Sequence, residues 1–179
     1  MPAMPPADEI DPLAFRNVFG RFATGVCVIT SLGENGPSGL TANAVTSLSL
    51  EPPLMVVCFD RSARTLKAVE HSRRFAVHFL GHDQEQTAAR FASKEPEEQK
   101  FAGVSWEKRS GVPMLEDCLA FMACELTDLV PGGDHLIAVG RVVELGGREG
   151  DPLVFFRGDY WALTDGEPAP SDVDEALEP

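Results

Sequence analysis

The segment 37–50, PSGLTANAVTSLSL, alternates between apolar and small polar residues. Because successive side chains of a strand point to opposite faces, one face would carry Leu40, Ala42, Ala44, Leu48 and Leu50. The other would carry Gly39, Thr41, Asn43, Ser47 and Ser49. Small hydrogen-bonding groups allow a flat or phosphorylated ligand to approach the backbone closely. A solvated strand edge has the same composition, so the alternation leaves both interpretations open.

A second candidate site is the turn at 60–65, DRSART, which follows the apolar run LMVVCF. Ser62 suits the N-cap of a helix that we expect over about 63–71. The first turn of that helix would present backbone N–H groups, Arg61, Arg64 and the hydroxyls of Ser62 and Thr65 to an anion. The alternative is that these residues are only a cap and surface charges.

Several familiar catalytic and metal-binding patterns are missing from the sequence. It holds no G-x-G-x-x-G, P-loop, G-x-S-x-G, H-E-x-x-H or EF-hand pattern. His78 is expected in a strand and His82 beyond its end, so they share no helical face. The four cysteines lie among apolar residues and form no C-x-x-C, which favours buried free thiols. We therefore predict no metal site.

The remaining pattern predicts many strands and few helices. Asp11 and Pro12 are typical of a helix start, and Phe15, Phe19 and Phe22 recur at helical spacing, so we expect them in the core, with the helix ending at Gly25. A further helix, after the one at about 63–71, is predicted at 83–92, capped by Asp83, with a polar loop at 93–100. Strands are predicted at 26–31, 37–50, 54–59, 75–80, 118–130, 135–146 and 152–163. Their hairpin order favours an antiparallel barrel or meander over a doubly wound parallel sheet.

Charge is concentrated at the two ends of the 179-residue chain. The net charge is −13, and nine of the 28 acidic residues lie in 1–11 and 165–179, where there are no basic residues. We expect a flexible N-terminus at 1–10, one domain at 11–164 and an acidic flexible tail at 165–179. This balance disfavours binding to nucleic acid or to an anionic membrane. The absence of a targeting or spanning segment predicts a cytoplasmic protein.

Six stretches resemble, in order, the flavin reductase family with the FMN-binding split-barrel fold. They are FRNVFGRFATGVCVIT (15–30), GLTANAVTSLSLEPPLMVVCF (39–59), DRSART (60–65), ARFASKEPEEQKF (89–101), GGDHLIAVGRV (132–142) and PLVFFRGDYW (152–161). The resemblance spans nearly the whole predicted domain. It implies a mainly β (α+β) fold, namely an antiparallel Greek-key split β-barrel with flanking helices.

The resemblance also implies positions for the ligands. The residues that would border the flavin are Ser38, Gly39, Thr41, Ala42, Asn43, Ala44, Ser47, Ser49, Phe91 and Lys94. Those that would hold its ribityl chain and phosphate are Phe59, Asp60, Arg61, Ser62 and Thr65. Those around the nicotinamide would be His135, as the catalytic residue, and the turn Arg157, Gly158, Asp159 and Tyr160. Many members carry lysine or asparagine where this chain has Asp60-Arg61.

The implied activity is an NAD(P)H:flavin oxidoreductase. It would use NADH or NADPH to reduce FAD or FMN and supply the reduced flavin to a separate monooxygenase. The resemblance also implies a homodimer, with each site bounded by both subunits. Three alternatives stay open: a flavoprotein that reduces another substrate directly, a non-catalytic flavin- or haem-binding module, and an interaction protein acting through its acidic tail.

Overall fold

The computed structural model describes residues 10–163, so the predicted end segments, apart from Ile10, lie outside it. It contains four helices: α1 (Pro12–Phe19), α2 (Arg64–Ser72), α3 (Glu85–Ala92) and α4 (Glu97–Phe101). The first six strands are β1 (Thr24–Gly25), β2 (Cys27–Gly33), β3 (Gly36–Ala42), β4 (Val45–Leu50), β5 (Pro53–Asp60) and β6 (Arg74–Phe79). The other six are β7 (Trp106–Arg109), β8 (Val112–Leu115), β9 (Ala120–Gly132), β10 (His135–Gly147), β11 (Leu153–Phe156) and β12 (Asp159–Ala162).

Seven strands form one antiparallel sheet in the order β3-β2-β6-β9-β10-β5-β4. Three of the strand pairs, β2–β3, β4–β5 and β9–β10, are hairpins of consecutive strands. The strand β5 also pairs with β10, which is distant in sequence, so the sheet is not a simple meander. Smaller sheets are formed by β1, β11 and β12 and by β7 and β8. The predicted antiparallel, mainly β fold with flanking helices is confirmed.

The two edge strands of the large sheet, β3 and β4, are consecutive in the chain. Only Asn43 and Ala44 separate them, yet they stand at opposite ends of the strand order. Across a two-residue link the flanking Cα atoms are at most about 10 Å apart, so the sheet must curl until its edges approach each other. In the described chain β3 and β4 do not pair, so the barrel stays open along this line, as a split barrel does.

The core lies on both faces of the large sheet. On one face Ile29, Val57, Phe59 and Phe75 pack with Leu66 and Val69 of α2. On the other face Val28, Leu80 and Leu153 pack with Phe91 of α3 and Phe101 of α4. Because β2 contributes to both clusters, its residues 27–31 are all buried rather than alternately buried and exposed.

The predicted strand 37–50 is in fact two strands, β3 and β4, divided at Asn43-Ala44. Leu40, Ala42 and Val45 pack against the core, but Leu48 and Leu50 are 52% and 88% exposed. The expected inward orientation is therefore wrong for these two leucines. A register shift between Ser47 and Ser49 interrupts the pairing of β4 with β5, and period-2 alternation does not continue through such a bulge.

The first helix is shorter and more exposed than the sequence predicts. It ends at Phe19 with Gly20 as C-cap, so Phe22 lies beyond it and Gly25 belongs to β1. Phe15, Phe19 and Phe22 are 59–66% exposed, so their assignment to the core is wrong for the single chain. The predicted cap is confirmed, since Asp11 accepts from the N–H groups of Leu13 and Ala14.

The other helix caps differ from their predictions. Ala63 rather than Ser62 precedes α2, and Gln84 rather than Asp83 precedes α3. Part of the predicted polar loop at 93–100 forms α4, because Phe101 packs on Phe91 and orders the segment. The longest described helix, α2, has nine residues, and none of the described helices has the length and hydropathy of a membrane span.

Candidate functional site

A cavity of ≈ 500 Å³ opens where the two sheet edges approach each other. Its lining comes from the end of β3 and the link that follows, the end of β5, the start of α2, the end of α3, the link to α4, α4 itself and the start of β10. The lining residues named in the sequence prediction are Thr41, Ala42, Asn43, Ala44, Phe59, Asp60, Ser62, Thr65, Phe91, Lys94 and His135. Residues distant in sequence thus meet at the split of the barrel.

A second cavity of ≈ 290 Å³ adjoins the first through Thr41, Ala42, Asn43 and Ala92, which line both. Val26, Phe155 and Tyr160 complete it. Burial, together with the Glu85 carboxylate, raises the pKa of Tyr160, so its hydroxyl stays neutral at physiological pH. This mostly apolar space beside a polar strand end suits a flat ring whose edge carries hydrogen-bonding groups.

Thr41 ties the polar strand end to α3. Its Oγ1 donates to the carbonyl oxygen of Ala88 at 2.6 Å, which fixes the distance between the two walls of the cavity. Ala42 contributes only a methyl group, and Asn43 is exposed at the opening. The backbone at 41–44 and the Asn43 amide therefore lie within reach of a bound molecule.

In the turn between β5 and α2, the Asp60 carboxylate accepts hydrogen bonds from the same turn. Asp60 Oδ1 accepts from the N–H of Ser62 at 2.7 Å and from Ser62 Oγ at 2.6 Å. These two hydrogen bonds, and more weakly the nearby His135, lower the pKa of Asp60. Thr65 is 1% exposed and its hydroxyl is 3.0 Å from Ser38 Oγ. The hydroxyls that the sequence assigns to an anion are therefore already engaged within the chain.

His135 stands at the cavity rim, opposite Asp60 across the β5–β10 pair. Its Nδ1 lies 2.8 Å from Asp134 Oδ1, and its side chain is 41% exposed. This hydrogen bond with His135 lowers the pKa of Asp134, so the carboxylate stays ionised and orients the ring. Arg61 lies behind the rim, where its Nε donates to Gly133 O at 3.0 Å and holds the 132–135 turn.

The opposite end of the cavity is basic. Arg64 and Lys94 line it together with Lys100, whose side chain is buried. Glu97 lies among them: its Oε1 is 3.1 Å from Arg64 Nε, and its Oε2 accepts from the N–H of Gly39 at 2.9 Å. The cavity thus runs from an acidic rim at Asp60 and Asp134 to an end with three cations and one carboxylate.

The sequence prediction missed Glu97 and Lys100. Both come from α4, in a stretch read as a loop because it is rich in charged residues. The only signal was the i, i+3 spacing of Glu97 and Lys100 directly before Phe101, which places both on one helical face beside an apolar anchor.

Several predicted site residues lie outside both cavities in the described chain. Ser38 and Gly39 are buried behind the cavity wall, and Ser47 and Ser49 lie farther along β4. Arg157 and Gly158 form the exposed β11–β12 turn and Asp159 begins β12, and the Arg157 N–H donates to Gly20 O at 2.8 Å. Tyr160, from the same predicted group, reaches the smaller cavity.

A family model matches most of the chain. Residues 19–164 match the flavin reductase like domain. The chain belongs to this family. Among its relatives is the reductase subunit HsaB of a flavin-dependent monooxygenase from Rhodococcus jostii, which is 41% identical over 174 residues, covering 96% of this chain and 88% of the relative. An NADH-dependent flavin reductase from a Rhodococcus species is 38% identical and covers 87% of this chain and 88% of the relative.

Solved structures of the family superimpose on most of the chain. A homologue of nitrilotriacetate monooxygenase component B from Mycobacterium thermoresistibile has a TM-score of 0.84 at 38% identity, covering 94% of this chain and 97% of the other. The NADH:FAD oxidoreductase of Streptomyces globisporus has a TM-score of 0.82 at 34% identity, covering 90% and 100%. The family membership that the sequence resemblance predicted is therefore confirmed.

Proposed function

We propose that this protein is an NAD(P)H:flavin oxidoreductase that reduces FAD or FMN and supplies the reduced flavin to a separate monooxygenase. The observation that carries the proposal is the pair of joined cavities at the split of the barrel, one polar and basic at its end, the other apolar. The relatives support the same conclusion, because they are named as reductase components of monooxygenases and as an NADH-dependent flavin reductase.

The described residues fit a flavin. The backbone at 41–44 and the Asn43 amide would meet the polar edge of the ring, while Phe91 and Ala92 would face its apolar parts. Arg64, Lys94 and Lys100 supply the positive charge that a flavin phosphate requires. We assign the nicotinamide to the side of the cavity near His135, with Tyr160 bordering the smaller cavity.

A flavin held in the cavity would accept a hydride, which is two electrons and one proton, from the nicotinamide, and the products would be NAD(P)⁺ and reduced flavin. The protein needs no nucleophile or general base for this transfer. Its side chains would bring donor and acceptor atoms within about 3–3.5 Å of each other and exclude water. Thr41, by fixing β3 to α3, keeps the cavity walls at a constant separation.

We further propose a homodimer. The apolar residues Leu13, Phe15, Val18, Phe19 and Phe22 are 59–70% exposed in the single chain. A contiguous apolar surface of this kind is typical of a protein interface, and a second copy would bury it. We also propose a cytoplasmic location. The four free cysteines support this location, because free thiols are typical of a reducing compartment.

The deciding experiment measures NADH and NADPH oxidation by the purified protein with FAD, FMN or no flavin. We expect oxidation to depend on added flavin. The matched variants are Ala92→Trp, which fills the junction of the two cavities, and Ala102→Trp, an exposed residue outside both. Ala92→Trp should lose the activity and Ala102→Trp should keep it. Wild-type oxidation at the background rate with both flavins would show that the proposal is wrong.

A further inference from the structure

Gly39 is a buried residue on an edge strand of the large sheet. It lies in the middle of β3, the last strand in the sheet order, and among the described residues no strand pairs with the outer side of β3. A buried backbone N–H or C=O group without a partner costs free energy comparable to a lost hydrogen bond. The outward backbone groups of Gly39 therefore need partners that a neighbouring strand does not supply.

Two side chains of α4 supply these partners. Glu97 Oε2 accepts from the N–H of Gly39 at 2.9 Å, and Lys100 Nζ donates to Gly39 O at 3.1 Å. The two residues are three positions apart on the helix, so their side chains lie on one face. Together they bind both backbone groups of one residue, as a residue of an adjacent antiparallel strand does.

The same two side chains connect β3 to the helices around the cavity. Lys100 Nζ also donates to Phe91 O at 3.1 Å, in the last turn of α3, where carbonyl groups lack partners within the helix. Glu97 Oε1 lies 3.1 Å from Arg64 Nε at the start of α2. Burial lowers the pKa of Lys100, and the Glu97 carboxylate opposes this effect. Elements β3, α2, α3 and α4 thus meet at these two side chains, and all four line the cavity.

We infer that Glu97 and Lys100 are positioning residues that act through Gly39. By holding both of its backbone groups, they fix the outer edge of β3 against α3 and α4. They thereby set the position of Thr41, two residues farther along the strand, and of the backbone that follows it in the cavity wall. This inference rests on the proposed function, because the consequence of the position is measured on flavin.

Loss of this contact should lower the fraction of molecules in which the edge of β3 is in place. A ligand that binds only the aligned form then binds more weakly, in proportion to that fraction. Once bound, the ligand itself holds the strand, so the rate at saturating flavin should be kept. The expected signature is a raised KM for flavin with an unchanged kcat.

Hydrogen exchange at the Gly39 amide tests the contact without any ligand. Glu97→Leu removes the acceptor of this N–H, whereas Glu97→Gln loses the same charge and keeps an acceptor oxygen. We expect exchange to be about ten- to a hundredfold faster in Glu97→Leu than in the wild-type protein, and much closer to the wild-type rate in Glu97→Gln. Lys100→Met should also accelerate this exchange, although Lys100 is not a partner of the N–H. Glu98→Leu, at an exposed neighbour on the same helix, should not.

Flavin-dependent NADH oxidation by the same variants, with FAD and with FMN, tests the consequence. The KM for flavin should rise by about tenfold in Glu97→Leu, with kcat kept, and should change little in Glu97→Gln. A direct charge effect would have the opposite sign, since removing a carboxylate from a cavity that takes a phosphate would strengthen flavin binding in both variants equally. A merely structural role would lower the rate with the folded fraction and leave the KM unchanged.

The results separate this inference from the proposed function. Equal exchange at Gly39 in Glu97→Leu and Glu97→Gln, or a wild-type rate in Lys100→Met, would overturn the positioning role. A KM for flavin that is the same in the two Glu97 variants would overturn it as well. Wild-type protein that oxidises NADH at the background rate with both flavins would instead contradict the proposed function, and the exchange rates would still decide whether Glu97 and Lys100 hold β3.

Discussion

Gly39 lies so close to Phe91 that a Cβ added to it would stand 2.7 Å from Cε1 of the ring and 2.8 Å from Cδ1. No side chain fits this space without movement, because the Phe91 ring is itself fully buried and packs edge-on against Phe101. The contact joins the edge strand β3 to the helix that forms the opposite wall of the cavity.

We therefore expect Gly39→Ala to lower the free energy of unfolding by about 1–3 kcal/mol, as overpacking of a core does. Flavin affinity should fall as well, because separation of β3 from α3 displaces Thr41. Gly25→Ala is the matched control, since a Cβ there meets no atom within 4 Å. Urea denaturation and flavin titration measure the two effects. A Gly39→Ala protein as stable as Gly25→Ala would show that Phe91 moves aside freely.

Much of the strand order was predictable because local signals agree with the final pairing. The β2–β3 hairpin and the β9–β10 hairpin form where turn residues separate apolar runs. The β5–β10 pair could not be predicted from composition, since contacts between strands so far apart depend on the curl of the whole sheet. The family resemblance supplied the split-barrel fold.

The lining of the candidate site was predictable where backbone position alone brings residues to the cavity and less so where side chains compete for the same hydrogen bonds. The line Thr41, Ala42, Asn43 and Ala44 does border the cavity. The assignment of Ser62 to the ribityl chain and phosphate came from the resemblance and from its place at a helix start, and neither indicates that Asp60, two residues away, accepts from its hydroxyl. The buried Lys100 escaped prediction because a lysine in a charged stretch has the pattern of an exposed one.

His78 predicts an acid-dependent loss of stability. Its Nδ1 lies 3.1 Å from Val28 O, and its Nε2 accepts from the N–H of Leu115 at 3.0 Å, so the ring is neutral with the proton on Nδ1. Complete burial lowers the pKa of His78 to about 4. Since the unfolded chain binds a proton near its ordinary pKa of about 6.5, stability is complete above that pH and falls as the pH drops toward 4, by about 3 kcal/mol in total.

Denaturation at a series of pH values, with wild-type protein and His78→Gln, checks this expectation. The variant should be less stable at neutral pH by about 1–3 kcal/mol, because Val28 O or the N–H of Leu115 loses its partner. It should also lose the histidine part of the acid dependence between pH 6.5 and about 4. The same slope in both proteins would mean that His78 already takes up its proton in the folded state.

The exposed face of α1 predicts the oligomeric state. Phe15 and Phe19 stack with ring centroids 6.0 Å apart and are largely exposed, so their replacement removes apolar surface without opening a cavity in the core. We expect a wild-type dimer in sedimentation velocity and a monomer for Phe15→Ser with Phe19→Ser. Asn17→Ser, on the same helix, is the control and should stay dimeric. A double variant that sediments as the wild-type protein does would place the interface elsewhere.

The last prediction separates the two ends of the cavity. His135 stands at the acidic rim, next to Asp134 and opposite Asp60, whereas the cations that we assign to the flavin phosphate lie at the other end. Because a contact to one ligand affects only the steps that involve that ligand, His135→Ala should raise the KM for NAD(P)H or slow flavin reduction and leave flavin affinity nearly constant. Asp134→Ala is the control, since it keeps the imidazole and removes only the carboxylate that orients it, so its effect should be in the same direction and smaller. Stopped-flow measurement of flavin reduction, with flavin affinity measured in parallel, tests this prediction. Normal reduction together with weakened flavin binding would assign His135 to the flavin. No change in either quantity would leave His135 as a turn residue without a role in the reaction.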